Sequence, residues 1–122
     1  MHGHKKYVVW NNILELQSTL NKEILPKIPK TKFKLKDQIE RAVGSSGANF
    51  IEGYYSDSTK EFVRFSRYSR RSLAELEYWV NSCFEKGYIE MDLHKNTEDL
   101  IIRTGCLVDR LILSLLKKQQ SA

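Results

Sequence analysis

From Lys6 to Leu25 the apolar residues Val9, Ile13, Leu16 and Leu20 recur at steps of four and three, with polar residues between them. That spacing puts them on one side of a helix and predicts a single buried stripe. Leu25-Pro26-Lys27-Ile28-Pro29-Lys30 ends it, because each proline lacks a backbone donor and disfavours helical geometry in the residue before it. A second helix is expected from about Thr31, carrying Ile39, Ala42, Val43, Ser46 and Phe50 inward until Gly53 and Tyr54-Tyr55-Ser56-Asp57. The third follows Ser58-Thr59-Lys60-Glu61, a capping box in which the serine hydroxyl accepts from an orphan amide while the glutamate reaches back to the serine amide. It holds Phe62, Phe65, Ser69, Ser72, Leu76, Val80 and Cys83 on one stripe until Gly87, about 29 residues and hence roughly 43 Å long. The fourth runs from about Asp92 to Lys118 with Leu93, Thr97, Leu100, Thr104, Leu107, Leu111 and Leu115 inward.

No strand pattern or internal repeat competes, and short connections imply antiparallel neighbours. The expected fold class is therefore all-α, an antiparallel up-down four-helix bundle. A chain of 122 residues is read as one domain spanning 1–122, with residues 1–5 and 119–122 frayed, His2 and His4 among them. The last helix carries more apolar surface than one seam needs, because Ile101, Ile102, Val108, Ile112, Leu113 and Leu116 widen its face. Trp10, Tyr78 and Trp79 flank the inner stripes of their own helices. Self-association through Ile112 and Leu113 is the natural outlet, and a thick core with a few exposed leucines is the alternative.

The middle of the second helix is unusually thin, with Ala42, Gly44, Ser45, Ser46, Gly47 and Ala48, and Ser66, Ser69 and Ser72 give the third helix small side chains at similar spacing. Two glycines in four helical residues need close packing as compensation, so these two helices are expected to approach closely. No strand precedes Gly44-Ser45-Ser46-Gly47 and no Gly-Lys-Ser/Thr follows, which leaves a phosphate-loop reading without support.

The formal charge of +5 and isoelectric point near 9.2 favour an anionic partner. No apolar run approaches the roughly 18 residues needed to span a bilayer and no signal-peptide core follows Met1, so a cytoplasmic protein with no membrane partner is expected. Cys83 and Cys106 lie at apolar positions without metal-ligand spacing and are read as reduced, buried thiols.

Candidate chemistry is sparse. A di-metal centre would need Glu-x-x-His pairs on two helices, and His94 is the only histidine beyond the amino-terminal segment. No histidine base is placed beside a serine or cysteine by any motif, so no catalytic residue, metal or cofactor is assigned and the chain is read as a non-enzyme. Arg41, Asn49, Glu52 and Glu75, with Ser58 and Glu61 at the helix start, are read as a structural polar network, with a carboxylate site as the alternative. Arg64, Arg67 and Arg71 recur at steps of three and four on one outer stripe, with Lys60 at its start and Arg70 flanking. Guanidinium forks suit phosphate, which makes these five the candidate nucleic-acid-binding residues; a merely solvated face is the competing reading.

Gln38-Ile39-Glu40-Arg41-Ala42, then Ser45, Asn49, Glu52-Gly53, Ser58-x-x-Glu61-Phe62-x-x-Phe65 and Ser72-Leu73-x-Glu75-Leu76 stand in an order and spacing that is specific. This layout resembles the four-helix bundle family encoded in intervening sequences of bacterial large-subunit ribosomal RNA genes, which includes the accessory proteins of diversity-generating retroelements. Two positions depart from that family's pattern. Gly47 stands where proline is frequent, and Arg71 stands where glycine commonly precedes the Ser-Leu pair. The resemblance implies a ring-like homopentamer with a central channel and a non-catalytic adaptor role, binding RNA or DNA or a nucleic-acid enzyme. For retroelement relatives it implies partnership with a reverse transcriptase. A structural or protein-interaction module with no nucleic-acid role is the alternative.

Overall fold

The computed structural model describes residues 3–121 and contains four α-helices and, among those residues, no strand. They are α1 (Val8–Thr19), α2 (Phe33–Tyr54), α3 (Thr59–Glu85) and α4 (Met91–Ser121). Helix α1 packs on α2 and α4, α2 on α3, and α3 on α4. Of the terminal residues expected to fray, 1, 2 and 122 lie outside the described residues, so His2 does too. Gly3–Lys6 forms a 3-10 turn in which His4 Nδ1 lies 3.0 Å from the Tyr55 hydroxyl, and residues 119–121 continue α4. No described helix is long and apolar enough to cross a membrane.

Proline chemistry shapes the end of α1. Pro26 cannot donate to the carbonyl four residues back, and the chain ahead of it widens into a π-helical turn, Leu20–Ile24. There the Leu25 amide donates to the Leu20 carbonyl five residues earlier, which keeps both Leu20 and Ile24 fully buried. A 3-10 turn, Leu25–Lys27, then delivers Ile28 into the core. The other helix ends are sharper. Ser58 Oγ accepts from the Glu61 amide at 3.1 Å and starts α3. Gly87, at φ +78°, ends it in a Schellman turn: the Tyr88 amide donates to Cys83 O at 2.9 Å and the Gly87 amide to Phe84 O at 2.9 Å.

The inner stripes of α1 and α2 are those expected, with Val9, Ile13, Leu16, Leu20, Ile39, Ala42, Val43, Ser46 and Phe50 all buried. In α3 Ser69, Ser72, Leu76, Val80 and Cys83 are buried as expected, and the stripe differs at its amino-terminal end. Val63, Ser66 and Leu73 are buried, while Phe62 and Phe65 are only partly so, because they straddle Gly53 of α2. In α4 the seam is His94, Thr97, Ile101, Thr104, Val108 and Leu115; Leu93, Leu107 and Leu111 flank it, half-buried. Ile101 and Val108, expected to widen the outer face, are core residues at 1 % exposure each, and Ile102 and Leu113 are the exposed ones at 45 % and 60 %. Thr97, Leu100, Thr104 and Leu115 are buried as expected, so Ile101 and Val108 widen the seam rather than replace it, and small or polar groups face inward there as well as leucines do. Thr104 is one such group, its hydroxyl donating to Leu100 O at 2.6 Å. Cys106 also departs from expectation: it is exposed, whereas Cys83 is buried.

Small residues set the spacing of α2 against its neighbours. Ser69 Oγ donates to the Ser46 carbonyl at 2.5 Å, and Ser72 Oγ to Ser45 Oγ at 2.9 Å, so α2 and α3 do approach closely at these positions. A Cβ on Gly53 would stand 2.9 Å from Phe62 Cδ1 and 3.0 Å from Phe65 Cβ. Gly47 faces α1 instead, where a Cβ would meet Ile13 and Trp10. Gly44 faces open space.

The two substitutions Gly53→Ala and Gly44→Ala should act in opposite directions in denaturant unfolding. Gly53→Ala is expected to lose about 1–3 kcal/mol through overpacking, and Gly44→Ala to gain about 0.5–1 kcal/mol from helix propensity alone. The thiols should separate as well. Burial pushes the Cys83 thiol up to about 11, with Lys86 opposing weakly, so a thiol reagent at neutral pH should modify Cys106 and reach Cys83 only on unfolding. Because the unfolded thiol ionises near its ordinary 9.0 and the folded one does not, the stability it contributes is complete below pH 9 and declines as pH rises from about 9 through 11. Unfolding measured across that range, with Cys83→Ala as control, checks the sign.

Candidate functional site

Residues 60, 64, 67 and 71 of α3 share one face at steps of four, three and four. The last turns of α4 run beside that face. Together they enclose a surface groove of about 360 Å³ lined by Lys60, Val63, Arg64, Arg67, Tyr68, Arg71, Leu116 and Gln119. Val63 is buried and Leu116 half-buried, so the floor of the groove is apolar and its rim cationic.

The arginines are not equivalent. Arg64 donates to both carboxylate oxygens of Glu61, at 2.7 and 3.3 Å, and to the Tyr68 hydroxyl at 3.3 Å. Its guanidinium also lies 4.6 Å from the Phe65 ring centre. The Arg64 hydrogen bond lowers the Glu61 pKa against the opposing desolvation, with the charges of Arg64 and Lys60 assisting, and the hydrogen bonds to Glu61 and Tyr68 hold Arg64 further towards its charged form. Arg71 lies 5.4 Å and Arg64 5.6 Å from the centre of the Tyr68 ring, so both guanidiniums adjoin it. Arg67 and Lys60 are exposed on the rim without an ion-pair partner among the described residues.

Arg70 leaves the stripe. It bends across Gly105 of α4, where a Cβ would come within 2.9 Å of its guanidinium, and pairs with Asp109 at 3.0 Å. This corrects its assignment as a flanking phosphate ligand: Arg70 ties α3 to α4. Asp109 stands 39 residues away in sequence, so no local spacing announces the pair. Tyr68 was missed for a different reason. It stands four residues after Arg64 and three before Arg71, a helical spacing that could have marked it.

The expected polar network separates into local pairs. Arg41 binds Asp37 one turn back at 3.1 Å, with both side chains well exposed. Asn49 donates to the Ser45 carbonyl at 2.9 Å and hydroxyl at 3.0 Å, and through Ser45 it connects to Ser72. Glu75 accepts weakly from Trp79 Nε1 at 3.4 Å, and Glu52 is exposed. Helix geometry explains the outcome, because i,i+4 partners lie closer than any partner two turns away. The capping box is likewise half formed: Ser58 caps the Glu61 amide, while the Glu61 carboxylate turns forward to Arg64. Ile112 is half-buried and Leu113 exposed on the outer side of α4.

The family model for the 23S rRNA-intervening sequence protein matches residues 5–109, and the chain belongs to that family. A solved structure of similar shape is a protein of unknown function from the S23 ribosomal protein family of Bacteroides thetaiotaomicron. It superposes with a TM-score of 0.77 at 23% identity, covering 86% of this chain and 95% of the other. At that identity the likeness concerns the fold. No curated protein matches the chain.

Two substitutions at the start of α3 should part company. Ser58→Ala removes the acceptor for the Glu61 amide and is expected to cost about 0.5–2 kcal/mol. Glu61→Gln keeps that cap and loses only an exposed ion pair, so its unfolding midpoint should lie close to wild type. Equal losses for both would mean that the Glu61–Arg64 pair, rather than the cap, holds the helix start.

Proposed function

We propose that this member of the 23S rRNA-intervening sequence protein family is a non-catalytic, basic, homo-oligomeric adaptor that binds nucleic acid through the groove between α3 and α4. The single observation that carries this is the convergence of Lys60, Arg64, Arg67 and Arg71 on one groove, whose free rim members Lys60 and Arg67 face solvent. Guanidinium and ammonium groups so placed attract a polyanion, and displacement of its counterions supplies most of the affinity. The groove is lined by cations, one tyrosine, one amide and apolar groups, a set suited to holding a strand rather than to turning over a bond.

Self-association completes the proposal. Ile102 and Leu113 on α4, with Val8 and Leu14 on α1, leave apolar side chains at the surface that a second copy would cover. The short links between helices suit an antiparallel up-down bundle. The family resemblance suggests a ring of five and, where such a protein serves a retroelement, a reverse transcriptase as partner; the apolar surplus of α4 puts Ile112 and Leu113 at the contact, and the sequence's lack of a membrane-spanning run suits action in the cytoplasm. A protein-interaction role without nucleic acid is favoured by one specific observation: Glu61 and Asp109 already neutralise Arg64 and Arg70, which leaves fewer free cations than the sequence displays.

Salt separates the two. In filter binding of structured RNA and duplex DNA, the wild type should bind nearly without sequence preference and lose affinity steeply between low and physiological salt. The triple change Arg64→Gln, Arg67→Gln, Arg71→Gln should weaken retention while preserving helix content and the mass found by light scattering, which should be several times the 14.3 kDa chain. Ile112→Glu or Leu113→Glu should lower that mass. Absence of binding by the wild type at low salt would leave the protein-interaction role in front, and a monodisperse monomer would remove the assembly.

A further inference from the structure

We propose that the groove between α3 and α4 takes an unpaired nucleotide of a single-stranded RNA or DNA, with its phosphate on Arg67, Arg71 and Lys60 and its base against Tyr68 over the Val63–Leu116 floor. This rests on the nucleic-acid function proposed above and specifies its ligand.

Three features of the groove point the same way. Its rim is cationic but its floor is apolar, and a duplex, which shows its backbones and only the edges of its stacked bases, has no base face to lay on that floor. An unpaired base presents a flat apolar face beside a phosphate and covers both. The second feature is stacking. Tyr68 has the guanidiniums of Arg64 and Arg71 beside its ring, 5.6 and 5.4 Å from its centre, and Arg64 donates to its hydroxyl at 3.3 Å. Planar groups so arranged form a platform to which a base can add, and stacking of this kind tolerates any base because each has a π face. The third is size. About 360 Å³ lies at the lower end of ligand pockets and suits one nucleotide, while Lys60 to Arg71 spans about 16 Å along the helix, enough for the flanking phosphates but not for the width of a duplex.

Charge places the phosphate within the groove. Glu61 pairs with Arg64 and puts a carboxylate at that end, which repels a phosphate. Arg67 has no such pairing among the described residues, Arg71 lies beside Tyr68 without a carboxylate, and Lys60 feels the Glu61 charge but forms no ion pair with it. Arg64 is therefore a positioning residue for Tyr68, and the other three cations are the phosphate ligands. Gln119, from the last turn of α4, offers an amide that can donate to or accept from a base edge.

Equilibrium binding of labelled oligouridine, of oligothymidine, and of each annealed to its complement tests this with the full chain. The wild type should prefer a single strand to its duplex at low salt, and preference for either strand supports the proposal and names the sugar. Tyr68→Leu, which keeps charge and apolar bulk, should weaken single-strand binding by about 5- to 150-fold, the range that stacking one base is worth, with duplex binding changed less than about twofold. Its salt dependence should stay that of wild type. The double change Arg67→Gln, Arg71→Gln should weaken strand and duplex together and flatten the salt dependence. Equal losses on strand and duplex for Tyr68→Leu, or polyglutamate competing as well as oligouridine, would overturn the proposal. Strand and duplex bound equally, and both lost in the arginine variant, would overturn it while leaving the nucleic-acid adaptor intact; binding of neither at low salt would remove both. Photocrosslinking of 5-bromouridine oligonucleotide to the wild type needs no variant to fold: adducts should map to the segment containing Tyr68, and adducts confined to other segments would refute the site.

Discussion

The contact between α2 and α3 sets the geometry on which the rest of the molecule depends. Serines and a glycine bring the two backbones together, with the Ser69 hydroxyl on the Ser46 carbonyl, Ser72 on Ser45, and Gly53 receiving Phe62 and Phe65. Larger residues would hold the helices apart, and apolar ones of the same size would leave the approach without direction. A buried hydrogen bond contributes only about 1 kcal/mol net, yet an orphaned partner would cost more, so these pairs act chiefly by penalising any other rotation of α3. Once Ser66, Ser69 and Leu73 face inward, residues 60, 64, 67 and 71 must face outward beside α4.

Charge on that outer face is organised rather than merely abundant. Glu61 fixes Arg64, and Asp109 draws Arg70 into the seam with α4, so two of the five cations first grouped together serve partly as struts. Exposed ion pairs of this kind add little stability. Their effect is positional: Arg64 is set on Phe65 and Tyr68, and Arg70 is kept away from the groove. The positive field that remains at the rim comes from fewer residues than a count of arginines suggests, and it lies next to an aromatic ring and an apolar floor.

Helix α4 belongs to both sides of the structure. Its seam uses His94, Thr97 and Thr104 among larger apolar residues, and His94 stacks flat on Phe84 at 4.4 Å. The Leu100 carbonyl satisfies Thr104, whereas His94 Nε2 and Thr97 Oγ1 are buried without a hydrogen-bond partner among the described residues. Turning those residues inward turns Ile102 and Leu113 outward, and the same rotation brings Leu116 and Gln119 to the groove.

The sequence by itself determined the helix count, the approximate ends of each helix, the inner stripes of α1 and α2, and the steps that align Lys60, Arg64, Arg67 and Arg71. All of these are local quantities, set by the helical repeat, by the missing donor of proline, by the Ser58 cap and by the positive φ at Gly87. The run of motifs from Gln38 to Leu76 also pointed to the family. What only the tertiary structure decided is rotation and partnership. The inner stripes of α3 and α4 keep the expected Ser69, Ser72, Leu76, Val80, Cys83, Thr97, Leu100, Thr104 and Leu115, but Val63, Leu73, Ile101 and Val108 join them and Phe62, Phe65, Leu107 and Leu111 lie only half-buried beside them. Arg41 and Glu52 have compatible charges but stand about three turns apart along α2, and Glu75 lies on α3 with Trp79, so no network joins them. Arg70 meets Asp109, and Leu116 meets Arg64 and Arg67 across one groove, only because α3 and α4 are packed side by side. A helix repeat specifies which residues share a face; it takes the neighbouring helix to specify what that face touches.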